Sequence, residues 1–198
     1  MTKAEITRQL IVEKTAPVFN TKGYAGTSLT DLTAATGLTK GSIYGNFTNK
    51  DEVAMAAFDY NLSLLTKGMA AAVAGCKDSI GKLLAMVDFY RSGTKTLLTR
   101  GGCPILNTAV EADDTHPGLK EKAARGLTYW KKDIERIIET GIKRKEISSE
   151  VNAAIFATEL IALIEGGIMI SKLTNNTALL HVCLSRVDKM ISEELSIK

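Results

Sequence analysis

Apolar positions recur at helical intervals along nearly the whole chain, and the two-residue alternation of a half-buried strand is scarce. Ile6, Leu10, Ile11, Thr15, Val18 and Phe19 mark one face of a first helix over about 4–21. Pro17 is expected to remove one of its backbone hydrogen bonds and bend it slightly, and Gly23 to stop it. Ser28 with Asp31 fits a capping box, and Asn49 with Glu52 fits the Asn variant. Gly37 breaks the pattern between them, and Thr39 can cap the next helix. The prediction is two short helices over 28–36 and 39–47 joined by a tight turn, then a longer helix over 49–65. Beyond Thr66 the helices lengthen. One spans Ser79–Leu98, a short one 105–112, and one starts with Pro117 at its first position and runs to about Lys145 through Leu127, Trp130 and Ile134. Two more come after it, over about 149–173, capped by Ser148 or Ser149, and about 176–195, capped by Asn175 or Asn176. The fold class is all-α: three N-terminal helices holding a helix-turn-helix, then a larger helical domain.

Charge adds little to this picture. Over 198 residues, 25 Lys and Arg stand against 22 Asp and Glu, a net charge of +3 that by itself says nothing about nucleic acid. Cys76, Cys103 and Cys183 are odd in number and widely spaced, which describes no disulfide framework and points to a reducing cytoplasm. The N-terminal segment MTKAEITRQLIVEK is charged throughout and does not read as a signal peptide. The most apolar stretch, Ile161–Ile170, is interrupted by Glu165 and two glycines, so no membrane span is expected.

The informative stretch is TSLTDLTAATGLTKGSIYGNFTNKDE, residues 27–52. Leu29, Leu32, Leu38, Ile43 and Phe47 supply one small seam to bury against the first helix. The outer side of the second short helix then carries Lys40, Gly41, Ser42, Tyr44 and Gly45. Small residues let the helix backbone approach a surface, and hydroxyls can donate to phosphates or base edges. A recognition helix that enters the major groove with its N-terminal residues is how such motifs dock. Short helix pairs with a glycine turn are also common packing units. The order and spacing from Ile11 to Val53 separate the two readings, because they resemble the DNA-binding domain of TetR-family transcriptional regulators. The resemblance implies that Ser28, Tyr44 and Lys50 clamp phosphates and that Thr39, Lys40 and Ser42 lie nearest the bases. The sequence departs from the family pattern at Gly45, where a bulky aromatic or His is usual, and at Thr33 and Thr36, which replace alanines. Residues 1–50 hold six cations against three carboxylates. A single module would bind weakly, and pairing two doubles the phosphate contacts at a spacing of about 34–36 Å.

The last two helices are apolar on more than one face, through Ile155, Leu160, Ile164 and Met169 in the first and Leu180, Val182, Leu184 and Val187 in the second. Stripes beyond one need a further layer to hide them, so a two-fold homodimer built on these helices is expected, as the family resemblance also implies. Gly166 and Gly167 would allow close helix approach. Met86, Phe89, Tyr90, Tyr129, Trp130 and Met169 are candidates to line a pocket for a small-molecule effector, though residues of these types more often form plain core. A sharper element is RGGCPILNTAVE, residues 100–111, where Cys103, Asn107 and Glu111 recur every four residues and share one helical face. At a helix N-terminus the dipole favours a thiolate. The element is similar to the G-C-x-x-x-N-x-x-x-E segment of a TetR subgroup that includes regulators of electrophile and oxidant defence, which implies that Cys103 is a sensing thiol and adds Cys103 and Asn107 to the effector candidates. On the structural alternative, Cys103 is a small buried residue and Asn107 and Glu111 satisfy backbone groups near the break. Cys76 and Cys183 read as ordinary buried thiols.

Other signals fall away. Gly75 to Gly81-Lys82 has the wrong spacing for a phosphate loop, His116 and His181 stand far apart with no metal-ligand pattern, and no nucleophile–base pair is apparent. His116 is expected to be a solvated cap and Asp113-Asp114 to face solvent. The sequence thus predicts a cytoplasmic, homodimeric DNA-binding regulator without cofactor or metal. It is expected to be a repressor on a double-stranded DNA operator, released by a small-molecule effector or by modification of Cys103. Residues 1–48 would be the DNA-binding domain and 49–198 the ligand-binding and dimerisation domain, linked by the 49–65 helix. The rivals are a helical ligand-binding module with a vestigial DNA motif, and an enzyme using the helical pocket.

Overall fold

Capping side chains divide the N-terminal third into short helices. In the computed structural model, which describes residues 1–197, α1 spans Lys3–Lys22, α2 Leu29–Thr36 and α3 Lys40–Tyr44. Thr2 and Glu5 box the start of α1, and Ser28 and Asp31 box the start of α2. Gly37 ends α2 in the left-handed conformation, and Thr39 Oγ1 caps α3 by accepting from the Ser42 N–H at 3.2 Å. Helix α4 spans Lys50–Val73, α5 Ser79–Thr99, α6 Pro104–Ala112, α7 Pro117–Lys143, α8 Ala153–Thr174 and α9 Ala178–Glu194. Among the described residues the regular structure is entirely helical.

The chain divides into two compact units. The first holds Met1–Leu65 with Arg100–Gly126, and the second holds Thr66–Thr99 with the chain from Leu127 onward. In the first unit Ile11, Phe19, Leu32, Ile43, Phe47 and Val53 form one buried cluster, and Phe58, Ala112, Leu119 and Ala123 a second. Each large side chain so buried stabilises by about 1.5–3 kcal/mol. The buried stripe of α1 is Ile11, Thr15, Ala16 and Phe19. Ile6 and Leu10, expected on that face, are 56% and 36% exposed. At 100° per residue they point away from the stripe, and Arg8 instead reaches the turn between α3 and α4.

The second unit buries Leu83, Val87 and Tyr90 of α5, every fourth position of α8 (Phe156, Leu160, Ile164, Ile168) and Leu180, Leu184 and Val187 of α9. Helix α9 packs against both α8 and α5. A Cβ at Gly167 would stand 2.8 Å from Leu180 Cδ1, so the α8–α9 approach depends on that glycine, whereas at Gly166 a Cβ meets open space. Ser171 Oγ accepts from the Leu180 N–H at 2.7 Å and closes the turn between them. Several boundaries differ from the expected ones. Helix α3 ends at Tyr44, and Phe47 stays buried outside it. Helix α4 continues past Leu65 to Val73, and at Gly68 within it a Cβ would meet the Phe89 ring. The cap of α8 is Asn152, whose Oδ1 accepts from the Ala154 and Ile155 N–H groups, not Ser148 or Ser149. Leu127 is 41% exposed, and Cys76 and Cys183 are half-buried. By length and composition α8 could cross a membrane, despite the interruption at Glu165; it is equally a core helix, packed on α9.

Candidate nucleic-acid interface

Helix α3 has one face in the core and one in solvent. Ile43 is fully buried, while Thr39, Lys40 and Gly41 are exposed and Ser42 and Tyr44 half-buried. The buried side fixes the orientation of a helix only five residues long, and the cap at Thr39 fixes its start. Six of the seven sequence-predicted DNA contacts lie along one stretch, from Thr39 at the cap of α3 to Lys50 at the first position of α4. Ser28 is the seventh, exposed at the cap of α2. Its hydroxyl is already engaged, donating to Asp31 Oδ2 at 2.7 Å.

Carboxylates hold this frame together. Asp31 is bound by Lys22 Nζ at 2.5 Å and by Ser28, and these bonds, the lysine first, hold its carboxyl far below the usual carboxylate range. Glu52 accepts from the Thr48 N–H at 2.7 Å and from Arg8 at 2.6 Å, which lower its pKa to about 2, the backbone bond contributing most. Arg8 also donates to the Asn46 carbonyl and stacks 3.9 Å from the centroid of Phe47. The turn between α3 and α4 is thereby pinned to α1. Tyr24, in the turn between α1 and α2, donates its phenol to Asp51 and lies under Lys50, whose Nζ is 4.4 Å from the ring centroid. Sequence reasoning missed Arg8, Asn20 and Tyr24, whose partners are 27 to 87 positions away along the chain. Gly23 directly before Tyr24 was a signal for the turn, and the structure holds it at positive φ.

The effector candidates are divided between the two units. Cys103 and Asn107 lie in the first unit, the other six in the second. Met86 and Tyr90 are buried, and Tyr90 packs on Phe89 and Trp130 with ring centroids 5.4 and 5.9 Å apart, as a core. Tyr129 and Met169 are 69% and 51% exposed. A groove of about 840 Å³ in the second unit is lined instead by Ile142, Ile147, Val151, Phe156, Glu159 and Ile197, among others, and by none of the eight. Cys103 caps α6 with its side chain fully buried and in no disulfide. His116 caps α7, its Nδ1 accepting from the Leu119 N–H at 3.2 Å, but its side chain is only 14% exposed rather than solvated.

Comparison with known proteins bears on this geometry. Residues 11–57 match the family described as "Bacterial regulatory proteins, tetR family", and residues 79–186 match "Tetracyclin repressor-like, C-terminal domain". The chain is similar to the crystal structure of a TetR-family transcriptional regulator from Cytophaga hutchinsonii, with a TM-score of 0.94 and 45% identity over 100% of this chain and 98% of that one. A TetR transcriptional regulator from Chloroflexus aurantiacus J-10-FL gives a TM-score of 0.95 and 37% identity over the whole of both chains. The HTH-type transcriptional repressor DhaR of Mycobacterium sp. (strain GP1) is 27% identical over 169 residues, 85% of this chain and 84% of that protein.

Proposed function

The chain belongs to the TetR family of bacterial regulatory proteins and is a helix-turn-helix transcriptional regulator, not an enzyme, and on that premise we propose that it is a cytoplasmic homodimeric repressor, released from its operator by a small-molecule effector. The observation that carries the reading is the two-sidedness of α3: Ile43 is sealed in the core while Thr39, Lys40 and Gly41 stand free. Such a helix can enter a major groove without unfolding anything. Thr39, Lys40 and Ser42 would read base edges, and Ser28, Tyr44 and Lys50 would bind phosphates, Ser28 exchanging its bond to Asp31 for one to the duplex.

Pairing is supported by the outer surface of α8 and α9. Ile155, Met169 and Leu173 on α8 and Val182 on α9 are 51–80% exposed, and Ile155 and Met169 are two heptads apart on one helix. Water-exposed apolar area of this kind is what a second copy would cover, and open space at Gly166 admits a close partner backbone. Helix α4, running Lys50–Val73, begins at a proposed phosphate contact, so displacing it alters the spacing of the two recognition helices. Effector and operator then weaken each other's binding by the same factor. Full burial of Cys103 favours effector binding over thiol modification as the trigger. A Cys103→Ser variant that keeps its normal release by electrophiles excludes the thiol; one that loses it reinstates the thiol as sensor.

A gel shift with the DNA upstream of the protein's own gene tests the reading. Binding is expected to fall steeply with salt, and to be weaker and less salt-dependent in Tyr44→Ala or Lys50→Ala. Absence of binding at low salt contradicts it and favours the vestigial-motif alternative.

A further inference from the structure

The segment entering α6 grips the last turn of α1, and α6 itself the turn that follows, all inside the first unit. Asn20 Nδ2 donates to the carbonyls of Arg100 (2.7 Å) and Gly102 (3.0 Å), and Asn107 Nδ2 donates to those of Asn20 (3.0 Å) and Gly101 (2.7 Å). One turn along α6, Glu111 takes two backbone donors at once. Its Oε2 accepts from the Tyr24 N–H at 2.7 Å and its Oε1 from the Ala25 N–H at 2.8 Å. Gly23, at φ +75°, makes this possible, because a Cβ there would occupy the space of the Glu111 carboxylate. Charge-assisted bonds to a carboxylate are stronger than neutral ones, and two of them from successive residues fix the orientation of a peptide as well as its position.

Tyr24 carries the linkage onward. Its phenol donates to Asp51 in the first turn of α4, and its ring lies beneath the Lys50 ammonium. The phenol stays protonated at any ordinary pH, its pKa pushed up to about 12 chiefly by the bond to Asp51. The His116 ring meets Tyr24 edge-on at 4.7 Å, and its Nε2 stands 3.9 Å from Asp51 Oδ1. Asp51 is thereby turned towards Tyr24 and His116, and the Lys50 ammonium, held over a ring face, starts from a defined place. Only one residue, Tyr24, separates the α6 carboxylate from that ammonium.

We propose that Glu111 and Tyr24 are positioning residues for DNA binding: Glu111 orients Tyr24, and Tyr24 orients Lys50 towards the phosphate backbone, so that the placement of α6 is read at a phosphate contact. The inference rests on the reading of Lys50 as a phosphate contact and adds the route by which α6 governs it. It explains why a carboxylate on α6 engages two backbone N–H groups of the α1–α2 turn, and why that turn carries a glycine followed by an aromatic residue.

The test uses the full chain and two independent arms. On the free protein, NMR reads the εCH₂ protons of Lys50, which the Tyr24 ring current moves upfield. Glu111→Gln keeps the size of the side chain but leaves one of the two backbone donors without an acceptor. The expected result is faster amide exchange at Tyr24 and Ala25, by roughly tenfold, and relaxation of the Lys50 signals towards the random-coil position. Tyr24→Phe is expected to keep an upfield shift and Tyr24→Leu to abolish it. Lys50 signals unchanged in a folded Glu111→Gln protein overturn the proposal. On operator DNA, Lys50→Ala is expected to flatten the log–log salt dependence by about 2 per dimer, close to 0.9 for each phosphate that the missing ammonium no longer neutralises. Glu111→Gln should weaken binding several-fold in the wild-type background and have no further effect in the Lys50→Ala background. An equal loss in both backgrounds means that Glu111 acts on general stability and overturns the proposal. If the wild-type protein binds no DNA, the operator reading falls and takes the DNA half of the proposal with it; the free-protein arm alone then decides the Glu111–Tyr24–Lys50 linkage.

Discussion

Gly41→Ala separates what α3 does for the fold from what it does at a duplex. Gly41 lies inside α3, on its exposed side, and an added Cβ would meet nothing nearer than Thr39 Oγ1 at 3.9 Å. Its φ is not positive, so the backbone does not call for glycine. In free protein the substitution should therefore stabilise, by about 0.5–1 kcal/mol from the helix preference of alanine over glycine. For a chain of this size that raises Tm by roughly 1–4 °C. At the operator the same methyl group should obstruct. It projects from the side of α3 that carries Thr39, Lys40 and Ser42, where a helix backbone seated in the groove leaves little room. A cost of about 1.4 kcal/mol per complex, comparable to one poor base contact, weakens binding roughly tenfold. Differential scanning calorimetry and fluorescence anisotropy on the operator fragment measure the two quantities. Opposite signs, a higher Tm with lower affinity, are the expected outcome. Affinity equal to or better than wild type would refute the placement of this face against DNA.

Three further outcomes are expected from the same geometry. Glu52 is an acid whose pKa is lowered on folding from an ordinary 4.5 to about 2, so its contribution to stability is complete above pH 4.5 and is lost as pH falls through 2; the Tm difference between wild type and Glu52→Gln should be present at pH 6 and vanish towards pH 2, and a constant difference would contradict the assignment. Gly167→Ala forces a Cβ against Leu180 and Cys183 and should cost about 1–3 kcal/mol in urea denaturation, whereas Gly166→Ala should not destabilise the isolated subunit. Val182→Glu or Leu173→Glu places a charge on the exposed apolar surface of α8 and α9 and should convert a dimer to a monomer in sedimentation velocity without loss of helicity; a wild-type monomer, or a variant that still pairs, removes this surface as the interface.

The local chemistry of the N-terminal helices was open to reading from the chain because each signal is confined to a few residues. Ser28 and Asp31 make the box they imply, Gly37 is left-handed, Thr39 caps α3, and Ile43 and Phe47 are buried. Errors arose where a residue answers to a distant partner. Helix α4 runs about two turns past its expected end at Leu65, through Gly68, where the distant Phe89 ring lies in the space of a Cβ. Two serines and an asparagine compete for the cap of α8, and Asn152 wins because its amide oxygen reaches two N–H groups at 3.1 Å. Tyr129 and Met169, apolar by type, are exposed on the single subunit, and periodicity does not say which of two apolar stripes faces inward. Asn107 and Glu111 do satisfy backbone groups, as the structural alternative held. For Glu111, though, those groups belong to residues 24 and 25, a pairing that no local pattern encodes.

Chemical footprinting of the protein on the DNA upstream of its gene goes most directly to the matter. Two protected major-groove segments on one face of the duplex, related by a dyad and about 34–36 Å or a multiple of it apart, are predicted, both fading together in Lys40→Ala. Protection of a single unpaired segment, of the minor groove alone, or of nothing at low salt would contradict an account in which α3 seats in DNA as one of a symmetric pair.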